Sequence, residues 1–199
     1  MMKPKIIIIL VVLVAIILTI LSVRGCGATE HYEPIPKPRG YMRIDLPIAN
    51  YATVNNLPVS FEVNDLANVD RVKKGEWLDI VYPQFNATIH CSYVKVDEES
   101  FYYHLDNRIE RVMMNTNFQK PTMVDMISES DSEVKSTLFI NQSGVITPVE
   151  FIATDSVSFI LSGTLAMYGD KVEHDSIAPI INYIEGDITQ LLKTIKCHF

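Results

Sequence analysis

Residues 134–167 read VKSTLFINQSGVITPVEFIATDSVSFILSGTLAM, and this stretch decides the fold. Three apolar, β-branched runs, Val134–Ile140, Val145–Ala153 and Val157–Met167, are parted only by Asn141-Gln142-Ser143-Gly144 and by Thr154-Asp155-Ser156. Each run has the length and composition of a strand, and each break carries turn residues. Connections this short admit only antiparallel neighbours, because a parallel crossover needs about a dozen residues or more. The stretch therefore reads as an antiparallel meander.

Beyond it the apolar spacing changes. Ile177, Ile181, Ile184, Ile188, Leu191 and Ile195 recur every four and three residues in alternation, which draws one continuous stripe on a helix. The spacing predicts a helix over Ser176 to Thr194, capped by Asp175 or Ser176, with Pro179 in the first turn and the stripe laid on the meander. On the other side, Val59–Val63 and Leu78–Tyr82 read as strands, the second stopped by Pro83. Ala87, Ile89, Cys91 and Tyr93 alternate with Thr88, His90 and Ser92, so one face turns inward and the other is polar. Leu105, Ile109, Val112 and Met113 predict an amphipathic helix over residues 100–116. Pro121-Thr122 with Asp125 reads as the cap of a short helix through Ile127, and Glu129–Glu133 as a solvated loop. The order of elements makes residues 41–199 a single α+β domain, an antiparallel β-sheet of about five to seven strands packed by helices. Element order alone likens it to a Mog1/PsbP-like sandwich.

The front of the chain has another texture. After Lys3 and Lys5, residues 6–23 hold only Thr19 and Ser22 as polar side chains. A basic head on such a run is a secretory signal, and the run is long enough to span a bilayer. Arg24-Gly25-Cys26 follows, and a cysteine after a small residue here resembles a bacterial lipoprotein signal, in which Cys26 is acylated and begins the mature protein. Arg24 departs from the small or apolar residue usual at that place, and the run exceeds the roughly 7–15 residues of an ordinary signal. An uncleaved anchor over residues 1–25 therefore stays open beside a cleaved lipoprotein signal peptide. Either outcome fastens the rest of the chain to membrane lipid outside the cytoplasm. Residues 26–40 are a tether: Pro34, Pro36 and Pro38 enforce extended chain, and the stretch Gly27–Gly40 reaches at most about 43 Å at about 3.1 Å per residue.

The whole chain carries 24 acidic against 17 basic side chains, and losing residues 1–25 removes Lys3, Lys5 and Arg24 to leave a net charge of −10. That balance repels a phosphate backbone, so nucleic acid is excluded as a partner. With 48% hydrophobic and 21% charged residues the chain can bury a core, which excludes a wholly disordered protein. Cys91 and Cys197 are the thiols left once Cys26 is acylated. A disulfide between them would close a loop of about 107 residues and contribute up to about 4–5 kcal/mol in the chain-entropy picture. Two cysteines make no framework, however, and two buried free thiols are the favoured reading.

His90 beside Cys91, and Cys197 beside His198, offer zinc-type ligands. Adjacent strand residues point to opposite faces, so no metal or cofactor is expected. The sequence holds no G-x-S-x-G, H-E-x-x-H, phosphate-cradling glycine loop or C-x-x-C, and it reads as a non-enzyme with no catalytic residues. Trp77, Tyr82, Phe85 and Tyr93 would line a ligand groove or fill the core, with core favoured.

Four blocks carry a resemblance across nearly all of the mature chain: Pro36–Pro47 (PKPRGYMRIDLP), Leu78–Tyr93 (LDIVYPQFNATIHCSY), Asp155–Tyr168 (DSVSFILSGTLAMY) and Asp175–Lys193 (DSIAPIINYIEGDITQLLK). Together they resemble the gliding-motility lipoproteins of the GldD type, found in gliding and type IX-secreting Bacteroidetes. The resemblance implies a non-enzymatic envelope lipoprotein that acts as a scaffold or accessory component of the gliding and type IX secretion machinery. Its implied partners are lipid, through acylated Cys26, and other proteins of that apparatus, an inner-membrane companion among them. Gly27 follows Cys26 with no acidic cluster behind it, which favours the periplasmic side over surface export.

Two further sets of residues stand out. Arg39, Gly40, Tyr41 and Arg43 sit where tether meets globe in an otherwise acidic molecule. They suit docking onto a carboxylate-bearing partner or addition as an edge strand. Alternatively, Tyr41 and Ile44 anchor the first strand and the arginines pair with the protein's own acids. Asp155-Ser156-Val157 and Asp175-Ser176-Ile177 resemble the general O-glycosylation signal of Bacteroidetes periplasmic proteins, with Ser156 and Ser176 as acceptors, though a turn and a helix cap account for them equally. A second functional class remains open, a periplasmic binding module for a small hydrophobic or glycan ligand. A deep pocket beside Trp77 would favour it, and a closed aromatic core would favour the scaffold.

Overall fold

Alternation of apolar and polar residues governs most of the globe, and it generates ten strands among the residues described. The computed structural model describes residues 11–20, 44–73, 76–116, 120–131, 133–141, 147–168 and 174–198. The chain divides into two units, Met1–Gly40 and Tyr41–Phe199. In the first, residues 11–20 are helical (α1) and carry exposed Val, Leu and Ile side chains. The Thr19 hydroxyl donates back to the carbonyls of Ala15 and Ile16 at 3.1 and 2.8 Å. A polar group satisfied within its own helix suits an apolar surrounding. Among the described residues no helix is long and apolar enough to cross a membrane.

The second unit opens with β1 (Tyr51–Val54), which pairs antiparallel with β2 (Val59–Asn64). Ile44, expected with Tyr41 to anchor the first strand, lies in irregular chain, and Tyr41 is outside the described residues. Then come β3 (Asn68–Lys73), β4 (Trp77–Tyr82) and β5 (Ala87–Lys95), a meander joined by short turns. After α2 (Phe101–Asn115) a second meander follows, β6 (Thr122–Ile127), β7 (Lys135–Ile140), β8 (Val149–Thr154) and β9 (Phe159–Met167). β5 and β9 pair along their full length, so the two meanders fuse into one seven-stranded sheet in the order β3-β4-β5-β9-β8-β7-β6. The last helix, α3 (His174–Thr194), leads into β10 (Lys196–Cys197), which adds to β2 and completes a three-stranded sheet. The architecture is α+β, antiparallel throughout.

The chain must travel from β5 to the far edge at β6, four strand spacings or about 19 Å. α2 has 15 residues and covers about 22 Å, so one helix makes the traverse across the sheet. Its entry is fixed by reciprocal bonds: the Ser100 amide donates to Asp97 Oδ1 at 2.9 Å and the Asp97 amide to the Ser100 hydroxyl at 3.2 Å. The bonds from Ser100 hold the Asp97 carboxyl below its usual range.

On the opposite face, Ile181, Ile184, Ile188, Leu191 and Ile195 of α3 are buried in one core with Leu78, Ile80, Ile89, Phe151, Leu161 and Leu165 of the sheet and Phe61 of β2. Phe151 illustrates the fit. A Cβ added at Gly163, its cross-strand partner, would stand 2.2 Å from Phe151 Cε1, so only glycine lets the ring lie there.

Several expectations need correction. Residues 122–127 are not a helix but β6, paired residue for residue with β7, and Asp125 accepts a bond from the Thr137 hydroxyl across the strands at 2.8 Å instead of capping. The pair Val124 and Ile127 looks helical in spacing, but a free strand edge beside β7 overrides so short a pattern. α3 includes His174, so Asp175 and Ser176 are inside the helix and do not cap it, and Pro179 lies within it. β8 begins only at Val149, because Pro148 has no amide to donate to a ladder. β9 begins at Phe159, since Asp155 Oδ1 takes the amides of Val157, Ser158 and Phe159 at 3.0, 2.8 and 3.3 Å and holds them in the turn.

Candidate functional site

Strand alternation that buries one face of the sheet must present the other to α2. Two rows of that outward face run in register across β4, β5, β9 and β8. One is Asp79, His90, Thr164 and Glu150, and the other is Trp77, Ser92, Ser162 and Ile152. Most of these are polar, whereas α2 buries only Phe101 in its first turn and Val112 near its last, which join Phe139, Ile152 and Ile160 in a small apolar cluster. Over the polar rows a groove of about 570 Å³ remains, walled by Arg108, Arg111 and Asn115 of α2.

The helix keeps Val112 and Leu105 against the sheet as its apolar spacing predicts, but Ile109 departs from it. Ile109 is 40% exposed, whereas Phe101, Arg108, Val112 and Asn115 face the sheet. Arg108 Nη2 donates to the Ser92 hydroxyl at 3.0 Å. Burial, then the nearby charge of Arg111, lowers the affinity of Arg108 for its proton, although a guanidinium stays charged. Glu150 lies at the groove floor and is 3% exposed. Its Oε2 accepts from Asn115 Nδ2 at 3.2 Å and from the Thr164 hydroxyl at 3.4 Å, while Oε1 is buried without a hydrogen-bond partner among the described residues. Burial pushes the carboxyl above its usual range, and those two bonds offset only part of the rise.

At the other end of the row His90 is held on both sides. Nδ1 is 2.8 Å from Asp79 Oδ1, and Nε2 is 2.7 Å from the Tyr168 hydroxyl. The aspartate on one nitrogen and the hydroxyl on the other fix the orientation of the ring. Cys91 next to it turns into the core, where burial and the charge of Asp79 push its thiol up to about 12. Cys197 likewise rises to about 12, by burial and then the charge of Asp131. Both are free thiols, and no bridge joins β5 to β10. Neither has the depressed pKa that makes a cysteine reactive.

The four aromatics considered as groove or core divide. Tyr82 and Tyr93 are buried, Tyr93 stacked on Phe159 at 5.8 Å, and Phe85 meets Tyr183 edge to face at 5.6 Å. Trp77 is 52% exposed and lines the groove. The groove residues that sequence reasoning missed are Arg108, Arg111 and Glu150. Glu150 carries the clearest signal, a lone carboxylate inside the apolar run Val149–Ala153.

Of the other sites expected from the sequence, Cys26, Arg39, Gly40, Tyr41 and Arg43 lie outside the described residues. Ser156 is exposed at the apex of the β8–β9 turn, with φ 68° and its amide bonded to the Thr154 hydroxyl at 2.9 Å. Ser176 belongs to α3.

A family described as gliding motility lipoprotein GldD matches residues 31–197, from the tether to the last strand. The chain belongs to that family. It is thus a gliding-motility lipoprotein, anchored to a membrane of the cell envelope. The GldD match takes in the whole groove as well as the junction at residues 39–43. Comparison with curated proteins gives no match.

Proposed function

We propose that this protein is a non-enzymatic scaffold or accessory component of the gliding motility apparatus and of the associated type IX secretion machinery. Membership of the gliding motility lipoprotein family over residues 31–197 carries the reading. The two described thiols fit the non-enzymatic part: burial pushes both up, so neither is an activated nucleophile. The protein faces the periplasm and is held to lipid by a fatty acyl group, palmitate among them, on Cys26. Arg39, Gly40, Tyr41 and Arg43 dock the globe onto carboxylate-bearing partners of the apparatus, an inner-membrane companion included. Ser156 and Ser176 are glycan acceptors, the first exposed at a turn apex where an enzyme can reach it.

Crosslinking in the native envelope followed by mass spectrometry tests the scaffold role. Motility or secretion proteins should be captured by the parent chain and lost when Arg39 and Arg43 are both replaced by alanine, with the thermal melt unchanged. Capture that survives the double replacement removes the docking assignment, and capture of no such protein removes the scaffold. Palmitate labelling abolished by Cys26→Ser checks the anchor. An intact mass equal to the acylated polypeptide alone rules out the glycans.

A further inference from the structure

The groove under α2 has three unmet needs, and they select one kind of ligand. Arg108 and Arg111 project two guanidiniums from α2, and the ion pairs among the described residues, Lys73–Glu76, His90–Asp79 and Lys193–Glu129, use neither. Arg108 gives one donor to Ser92, and neither guanidinium has an ion-pair partner among the described residues, so in a molecule this acidic their remaining donor forks match a carboxylate. Glu150 Oε1 is buried at the floor and lacks a donor. A buried oxygen of that kind costs stability unless something supplies a hydrogen bond, and a ligand hydroxyl does so. Trp77 presents a half-exposed indole, with Lys73 Nζ 6.0 Å from its ring centre, and the rest of its surface is flat and apolar, so the C–H face of a sugar ring can lie on it.

We propose that the groove binds a carboxylate-bearing saccharide, with its carboxylate on Arg108 and Arg111, its hydroxyls on Glu150 and Thr164, and a ring face on Trp77. A volume of about 570 Å³ falls within the range of small-ligand sites. The mixed floor argues against the alternatives. Carboxylates at Asp79 and Glu150 repel a doubly charged phosphate, and a polar floor offers an aliphatic ligand little. A peptide gains no main-chain pairing there, since β4, β5, β9 and β8 each have a strand on either side. This assignment does not depend on the scaffold role and stands or falls separately.

Trp77 is the only tryptophan in the chain, so intrinsic fluorescence reports on the groove directly. The detergent-solubilised full chain is titrated with di- and trisaccharides of glucuronate, galacturonate and mannuronate, with sialyllactose, with neutral lactose and maltotriose, and with a tetraglutamate peptide. At least one acidic saccharide should give a saturable change, with the neutral sugars weaker by about tenfold or more, and Arg108→Gln and Arg111→Gln each raising Kd by about tenfold. Polymeric galacturonate tested beside the short chains separates recognition of a free sugar from recognition within a polysaccharide. Arg111 is exposed, so Arg111→Gln keeps the fold even where Arg108→Gln does not. The assignment is overturned if no acidic saccharide gives a saturable change, if neutral sugars bind equally, if the folded Arg111→Gln protein binds as the parent does, or if tetraglutamate binds as tightly.

Discussion

The two faces of the seven-stranded sheet each bury a carboxylate and treat it in opposite ways. Under α3, Asp187 Oδ1 accepts from the Tyr51 hydroxyl at 2.8 Å, and Oδ2 accepts from Asn64 Nδ2 at 2.9 Å and the Tyr82 hydroxyl at 3.0 Å. These bonds tie α3 to β1, β2 and β4 at one point. They also push the Tyr51 and Tyr82 hydroxyls up, burial first and then the Asp187 charge and its hydrogen bonds. Under α2, Glu150 has one oxygen satisfied and one orphaned beside an open groove. A fully bonded buried carboxylate is an assembly device, and a half-bonded one beside a cavity is a site.

The largest effect should come from Asp187→Ala. It leaves the buried Tyr82 hydroxyl without an acceptor and removes one bond each from Tyr51 and from Asn64, which keeps its bond to Tyr183. The substitution should cost about 2–4 kcal/mol, read as a fall in the urea midpoint. If it costs no more than a change at Glu150, the contrast between the faces is void. Gly163→Ala drives a methyl into Phe151 and should cost about 1–3 kcal/mol. Adding Phe151→Leu should recover part of that loss, which a thermal melt of the double variant checks.

Glu150→Gln sharpens the comparison through pH. A carboxyl whose folded pKa is raised holds its proton more tightly in the fold, so its penalty is absent below the unfolded pKa of about 4.3 and grows as pH rises through the folded value. The glutamine variant should therefore match or exceed the parent at pH 7, within about 1 kcal/mol, and show a flatter stability profile in urea titrations across acidic pH. Ser156→Gly is the smallest change: at φ 68° glycine relieves left-handed strain and should stabilise by at most about 1 kcal/mol, seen as a slight rise in Tm.

Much of this was legible beforehand. Residues 134–167 announce their hairpins, and the stripe from Ile181 to Ile195 announces α3, because burial on one face imposes a period that survives in the sequence. β6 is illegible in the sequence because five of its six residues are exposed, with no core to force alternation, and Thr122 to Asp125 imitates a cap. The groove was less legible still. Helical spacing chose Ile109 for the inner face of α2, whereas Arg108 and Asn115 took that place through polar bonds to Ser92 and Glu150, and such pairings across distant segments leave no period to read.

The pairing of β5 with β9 joins Lys95 to Phe159 at one end and Ala87 to Met167 at the other. Each meander closes over short turns, but nothing local draws this seam together. The entropy of closing a long intervening loop must be met before its first pairs stabilise anything. Within the seven-stranded sheet the seam is therefore the pairing that closes the longest loop and costs the most chain entropy.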